Sequence, residues 1–218
     1  YERAKEFFYA KEDDVATLSK YKLPFLPCTI GAPLKELLKV FAVIPRVPVV
    51  SAEDEHTITH ICTQSDVIKF LARKPELLGE GTLESLGLVS GNPFCVATDS
   101  ITIDAYVEMH GKKFDCAGIV GEDGTLVGCL SATDLKHIAD YAFSYLLLPV
   151  DEFIEGVRKQ QDKPKDHLVA VKKDATLGEV VQKLAEEHVH RVFVVDAEGK
   201  PIGIVAMTDV ARALTKGK

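Results

Sequence analysis

A mixed α/β fold (α+β in layout), built from repeats that each run strand, helix, strand, strand, helix, is predicted for this chain by three observations. The first is a hairpin followed by a helix start that occurs three times, as "RVPVVSAEDEHTITHICTQSDVIKFL" (46–71), "AGIVGEDGTLVGCLSATDLKHI" (117–138) and "HRVFVVDAEGKPIGIVAMTDVARAL" (190–214). Each copy joins two short apolar runs through an acidic turn and then sets an aspartate where a helix opens. The second observation is the spacing of those aspartates, Asp66, Asp134 and Asp209, at intervals of 68 (66 to 134) and 75 (134 to 209) residues. That period is too long for a solenoid repeat and suits a small domain. The third is a block of matching character upstream of each hairpin.

The upstream blocks are "CTIGAPLKELLKVFA" (28–42), "ATDSITIDAYVEMHG" (97–111) and "VKKDATLGEVVQKLAEEH" (171–188), and each reads as a short strand before an amphipathic helix. In the third, Leu177, Val180, Val181 and Leu184 recur at helical spacing, with Glu179, Gln182 and Lys183 between them. The hydroxyl three residues before the aspartate, in Thr63-x-x-Asp66 and Ser131-x-x-Asp134, matches a capping box at a helix start. On the residues alone, each aspartate is either a helix cap or a ligand contact.

Composition bounds the function. With 218 residues of which 46% are hydrophobic, the chain can bury one or two sizeable cores, and 27% charged residues are ordinary for a globular protein. A net charge of -7 argues against broad binding to nucleic acid or anionic membranes, both of which are driven by clustered cations, but leaves room for a local phosphate site. The five cysteines, Cys28, Cys62, Cys95, Cys116 and Cys129, are odd in number and lack a C-x-x-C spacing, so they read as free thiols in a reducing compartment, cytoplasmic or nuclear. His188-x-His190 alone is too little for a metal site. No apolar run approaches the roughly 20 residues that span a bilayer, and no signal-peptide pattern opens the chain. Tyr1 stands where an initiator methionine would, so further sequence is expected before it. No Ser-His-Asp set, phosphate-binding loop or paired catalytic carboxylates is legible, so no catalysis is expected.

Three such units, with [ST]-x-x-D at the last strand-to-helix junction of two and Ala206-x-x-Asp209 in the third, resemble CBS domains, modules that pair face to face and hold adenine nucleotides in the clefts between them. More narrowly, "TLESLGLVSGNPFCV" (82–96), "PVDEFIEGVRKQQ" (149–161) and "VHRVFVVD" (189–196) resemble segments of the gamma regulatory subunit of the AMP-activated protein kinase family, which carries four units. By that resemblance the chain holds units two to four: 22–75, 82–140 and 166–216, with a linker helix in 141–165 and a remnant of a preceding unit or linker in 1–21. The first of the three would then lack its mate, and its sheet face would be covered by preceding sequence, a second copy or another subunit.

The resemblance also implies a site. Asp66, Asp134 and Asp209 would accept from the two ribose hydroxyls, with Thr63, Ser131 and Thr208 beside them, because a carboxylate next to a phosphate would repel it. His190 and Arg191 match the family's phosphate-contacting pair, Arg46 matches the arginine of the corresponding pair, and Lys113 stands where the middle unit carries a basic residue. The ligands implied are AMP, ADP or ATP, with no catalytic cofactor or metal, and the partners implied are the catalytic and scaffold subunits of a kinase. Four residues depart from the pattern: Pro45 where a histidine is expected, Ala206 in place of the motif hydroxyl, Asp115 where a small residue is usual, and Asp66 where the second unit often lacks an acid. Two other readings therefore stand beside the nucleotide sensor: a degenerate CBS scaffold indifferent to nucleotide, and an accessory domain of a larger enzyme or channel.

Overall fold

The computed structural model describes residues 26–54, 57–89, 91–138, 143–164 and 167–216, so the segment 1–21 lies outside the described residues. Among these, six α-helices and nine strands form, and the chain divides by contact density into two units, Tyr1–Cys62 and Thr63–Lys218.

In the first unit, β1 (Cys28–Thr29), α1 (Leu34–Phe41), β2 (Arg46–Val50) and β3 (Ile58–Thr63, its last residue in the second unit) follow one another, and the sheet order is β1-β2-β3. The helix opens directly after Pro33, whose fixed φ suits a helix entry. Its apolar stripe buries Leu38 and Phe41, and Ile44, Val47 and Val50 are buried with them.

The second unit opens with α2 (Gln64–Ala72), then runs β4 (Cys95–Ala97), α3 (Thr102–Gly111), β5 (Cys116–Val120) and β6 (Leu126–Ser131). It continues through α4 (Val150–Gln160), β7 (Ala170–Lys172), α5 (Leu177–Glu186), β8 (Arg191–Val195) and β9 (Pro201–Ala206) to α6 (Met207–Thr215). Each of its two sheets has a parallel pair across the helix and an antiparallel pair across the hairpin, in the orders β4-β5-β6 and β7-β8-β9. The hairpin turns need left-handed residues, and Gly124 (φ 80) and Gly199 (φ 81) supply them. Asp123 accepts from the amide of Thr125 at 3.0 Å and Asp196 from that of Lys200 at 2.7 Å, which explains the acidic residues of both turns.

Alternation along β5 and β6 sorts the middle sheet into two faces. Ala117, Ile119 and Leu130 point to one, where they pack with Ala105 and Met109 of α3 and Val150, Phe153, Ile154 and Val157 of α4. Cys116 and Gly118 point to the other, where Phe193 of β8 meets them with Ala170, Val195 and Ile204 around it. The middle and last sheets therefore lie face to face. The outer face of the last sheet buries Val192, Val194 and Val205 beneath α5 and α6.

One element differs from expectation. The residues after Ser131 form a six-residue 3₁₀ helix, Ala132–His137, where the repeat calls for an α-helix. Its place is limited by α4, which packs on this segment and on β6 and fills the adjoining face of the middle sheet with four buried side chains. Among the described residues no helix is long and apolar enough to cross a membrane.

Candidate functional site

A cavity of about 420 Å³ opens in the second unit between the middle and last sheets, within the roughly 300–1,000 Å³ of small-molecule sites. One wall is the end of β6 and the 3₁₀ turn, Ser131 to Asp134, and the facing wall is the approach to β8, Glu187 to Arg191. The floor is apolar, with Ile154, Val157 and Phe193. These walls come from two repeats, so the cavity exists only because the sheets face each other.

The Ser131–Asp134 wall is held from within. The Ser131 amide donates to Asp134 Oδ2 at 2.7 Å, and the Thr133 amide donates to Ser131 Oγ at 3.3 Å. Beneath it, the Tyr106 hydroxyl donates to the Ser131 carbonyl at 3.0 Å. Burial, aided by the negative charge of Asp134, pushes the Tyr106 phenol far above its ordinary value, so it remains a donor.

On the facing wall Arg191 is already engaged. Its guanidinium makes a two-pronged bond to Asp115, Nη1 to Oδ1 and Nη2 to Oδ2, the latter at 2.7 Å. The Arg191 bonds hold the Asp115 carboxyl below its ordinary value, and Asp115 in turn raises Arg191. Further along, Glu187 Oε2 lies 3.1 Å from His167 Nε2 and 3.9 Å from Lys163 Nζ, and the same His167 nitrogen lies 3.2 Å from Lys163 Nζ. Arg158, Lys163 and Arg191 are thus balanced by Asp115, Asp134 and Glu187 among the lining residues. Two thiols also line the cavity: Cys116 is drawn down, first by the bond from Cys129 and then by Arg191, while that bond and burial push Cys129 up.

Of the ten residues singled out from sequence, Ser131, Asp134, His190 and Arg191 meet in this cavity. Thr208 and Asp209 do not line it; they open α6, where Asp209 accepts from the Ala206 amide at 2.9 Å and from Arg212 at 3.2 Å, and Thr208 accepts from Gln64 Nε2 of α2 at 3.3 Å. Thr63 and Asp66 form a reciprocal capping box on α2, and the Thr63 hydroxyl and amide hold Asp66 below its ordinary value. Lys113 is exposed just past the end of α3 with φ 61, and Arg46 is exposed at the start of β2 in the first unit. All three aspartates cap helix starts, as the capping reading of the motif requires.

Sequence reasoning missed the Asp115–Arg191 pair and the Lys163, His167 and Glu187 cluster. A usable signal was present for the first: Asp115 and His190-Arg191 precede or open the equivalent strands of consecutive repeats and carry opposite charge. For the second, no local pattern marks the residues. Among the described residues, no group of three or more His, Cys, Asp or Glu is arranged to hold a metal ion.

The departure at Ala206 has a measurable consequence. Thr63, Ser131 and Thr176 each return a hydroxyl bond to their helix or turn, while Ala206 cannot. Ala206→Ser is expected to stabilise the protein by about 1 kcal/mol, read as a higher urea midpoint. An unchanged midpoint would show that the α6 start gains nothing from a hydroxyl.

The CBS domain family model matches residues 18–73 and 162–216, the first and last repeats. The chain is 29% identical over 162 residues to Protein SDS23 of Candida albicans, covering 68% of this chain and 25% of that protein. It is 26% identical over 182 residues to human 5'-AMP-activated protein kinase subunit gamma-3, covering 78% of this chain and 35% of that subunit. The chain therefore spans 25 to 35% of the length of these two curated relatives. Among solved structures, an uncharacterized conserved protein from Pyrococcus horikoshii superimposes with a TM-score of 0.69 at 21% identity, over 87% of this chain and 79% of that one, which shows the shared fold.

Proposed function

The chain belongs to the CBS-domain family, and from that membership we propose that it is a non-catalytic regulatory subunit that binds an adenine nucleotide in the cavity between its middle and last repeats. The observation that carries this reading is the convergence of Ser131 and Asp134 from one repeat with His190 and Arg191 from the next on one cavity of suitable size. Asp134 and Ser131 are assigned to the ribose hydroxyls, because two adjacent hydroxyls can donate to one carboxylate. Arg191, with His190 beside it, is assigned to the phosphate, for which a guanidinium offers a fork. The apolar floor of Ile154, Val157 and Phe193 suits a purine ring. Thr208 with Asp209 and Thr63 with Asp66 are proposed contacts for further nucleotides outside this cavity, and Arg46 and Lys113, each taken by itself, are proposed phosphate contacts.

The kinship with gamma subunits of the AMP-activated protein kinase supports AMP, ADP or ATP as ligands and a kinase catalytic subunit with its scaffold as partners. Free cysteines throughout suit a cytoplasmic or nuclear place. A second reading, a nucleotide-independent scaffold, is favoured by one observation, the occupation of Arg191 by Asp115.

Calorimetric titration of the chain with AMP, ADP and ATP, beside Arg191→Ala, Asp134→Ala and Asp209→Ala, separates these. Micromolar binding that falls at least tenfold in Arg191→Ala and Asp134→Ala is the expected result. A folded parent that evolves no heat with any nucleotide would leave the scaffold standing. Asp209→Ala decides its own case: retained binding makes Asp209 a cap alone.

A further inference from the structure

We propose that Asp115 is a built-in competitor for the ligand's phosphate, a carboxylate that fills the arginine fork in the absence of nucleotide and must leave before a phosphate can be held. This rests on the assignment of Arg191 to the phosphate and adds a specificity determinant to it.

The geometry supplies the reasons. Both guanidinium prongs of Arg191 are spent on the two oxygens of Asp115, and a phosphate presents the same pair of acceptors to the same fork. The two partners are unequally held: the Arg191 side chain is 28% exposed, while that of Asp115 is 69% exposed. Arg191 is fixed at the start of β8 above Cys116, whereas Asp115 can turn into water without burying a charge. With its Asp115 side open to water, the pair is weaker than a fully buried one, so it tunes affinity without abolishing it. The other two lysine or arginine side chains of the lining, Arg158 and Lys163, are matched in number by Asp134 and Glu187, so the lining offers a phosphate no surplus of such cations.

The pair also joins repeats. Asp115 precedes β5 of the middle sheet and Arg191 opens β8 of the last, so a phosphate that captures Arg191 releases one tie between the two sheets. Ligands with and without phosphate therefore have different effects: a nucleoside fills the ribose and base positions and leaves the tie in place, while a nucleotide breaks it. Differential contact of this sort is what a ligand needs to shift a conformational equilibrium.

The test is titration of the full chain and of Asp115→Ala and Asp115→Asn with AMP and with adenosine. In both variants the affinity for AMP is expected to rise about tenfold, in the range of ordinary coupling between sites, while the affinity for adenosine stays within about twofold. AMP binding that appears only in the variants supports the proposal equally. Parent-level AMP affinity in folded Asp115→Ala and Asp115→Asn overturns it and leaves the nucleotide assignment intact; an equal rise for adenosine overturns it too, because the gain is then not the phosphate's. No binding of either ligand by parent or variants overturns the nucleotide reading and this inference together.

Discussion

Phe193→Ala is expected to lower stability by about 3–5 kcal/mol. The ring is 2% exposed and stands in the layer between the facing sheets, with Cys116 and Leu126 on one side and Leu168, Ala170, Val195 and Ile204 about it. Truncation removes the transfer free energy of the ring and leaves a void between two hydrogen-bonded sheets, which are too stiff to close over it. Because Phe193 also lines the cavity between the two sheets, the void would merge with that cavity and admit water. In urea, the midpoint should fall sharply with little change of slope. A loss under about 1 kcal/mol would mean that the sheets do not pack through this ring.

The second large effect is expected from the opposite change at the same place. Gly118→Ala should cost about 1–3 kcal/mol through overpacking. A Cβ there would lie 2.9 Å from Leu126 Cδ1, 3.0 Å from Cys95 Sγ and 3.1 Å from Phe193 Cε1, so three side chains on three strands would have to yield together. The backbone of Gly118 is hydrogen-bonded to both neighbouring strands and cannot retreat. Combining the two substitutions gives a sharper measure, since the missing ring makes room for the methyl. The double variant should be more stable than the sum of the single losses predicts, by an interaction of about 0.5–2 kcal/mol. Strict additivity would contradict the contact between Gly118 and Phe193.

Several features were legible because they are local. The apolar runs at 116–120 and 191–195 and the acidic turns that follow them specify hairpins, and both hairpins form. Leu177, Val180, Val181 and Leu184 specify the buried stripe of α5, and all four are buried. The hydroxyl and aspartate of 63–66 and 131–134 specify caps through bonds that span three residues, and both caps form. The 3₁₀ turn at 132–137 was not legible, because its length is set by α4 docking against the same sheet face.

The site divides the same way. Sequence by itself determined the repeat, its helix starts, and the residue types that reach the cavity walls, since each follows from backbone propensity, side-chain periodicity and capping within a few residues. Only the tertiary structure decided that Ser131 and Asp134 share a cavity with His190 and Arg191 while Asp209 does not line it. It also decided that Arg191 is bound by a carboxylate 76 positions away. The physical reason is that such pairings depend on how two sheets set their faces together, and that is fixed by the fit of side chains such as Phe193 over Gly118 rather than by any local preference of the chain.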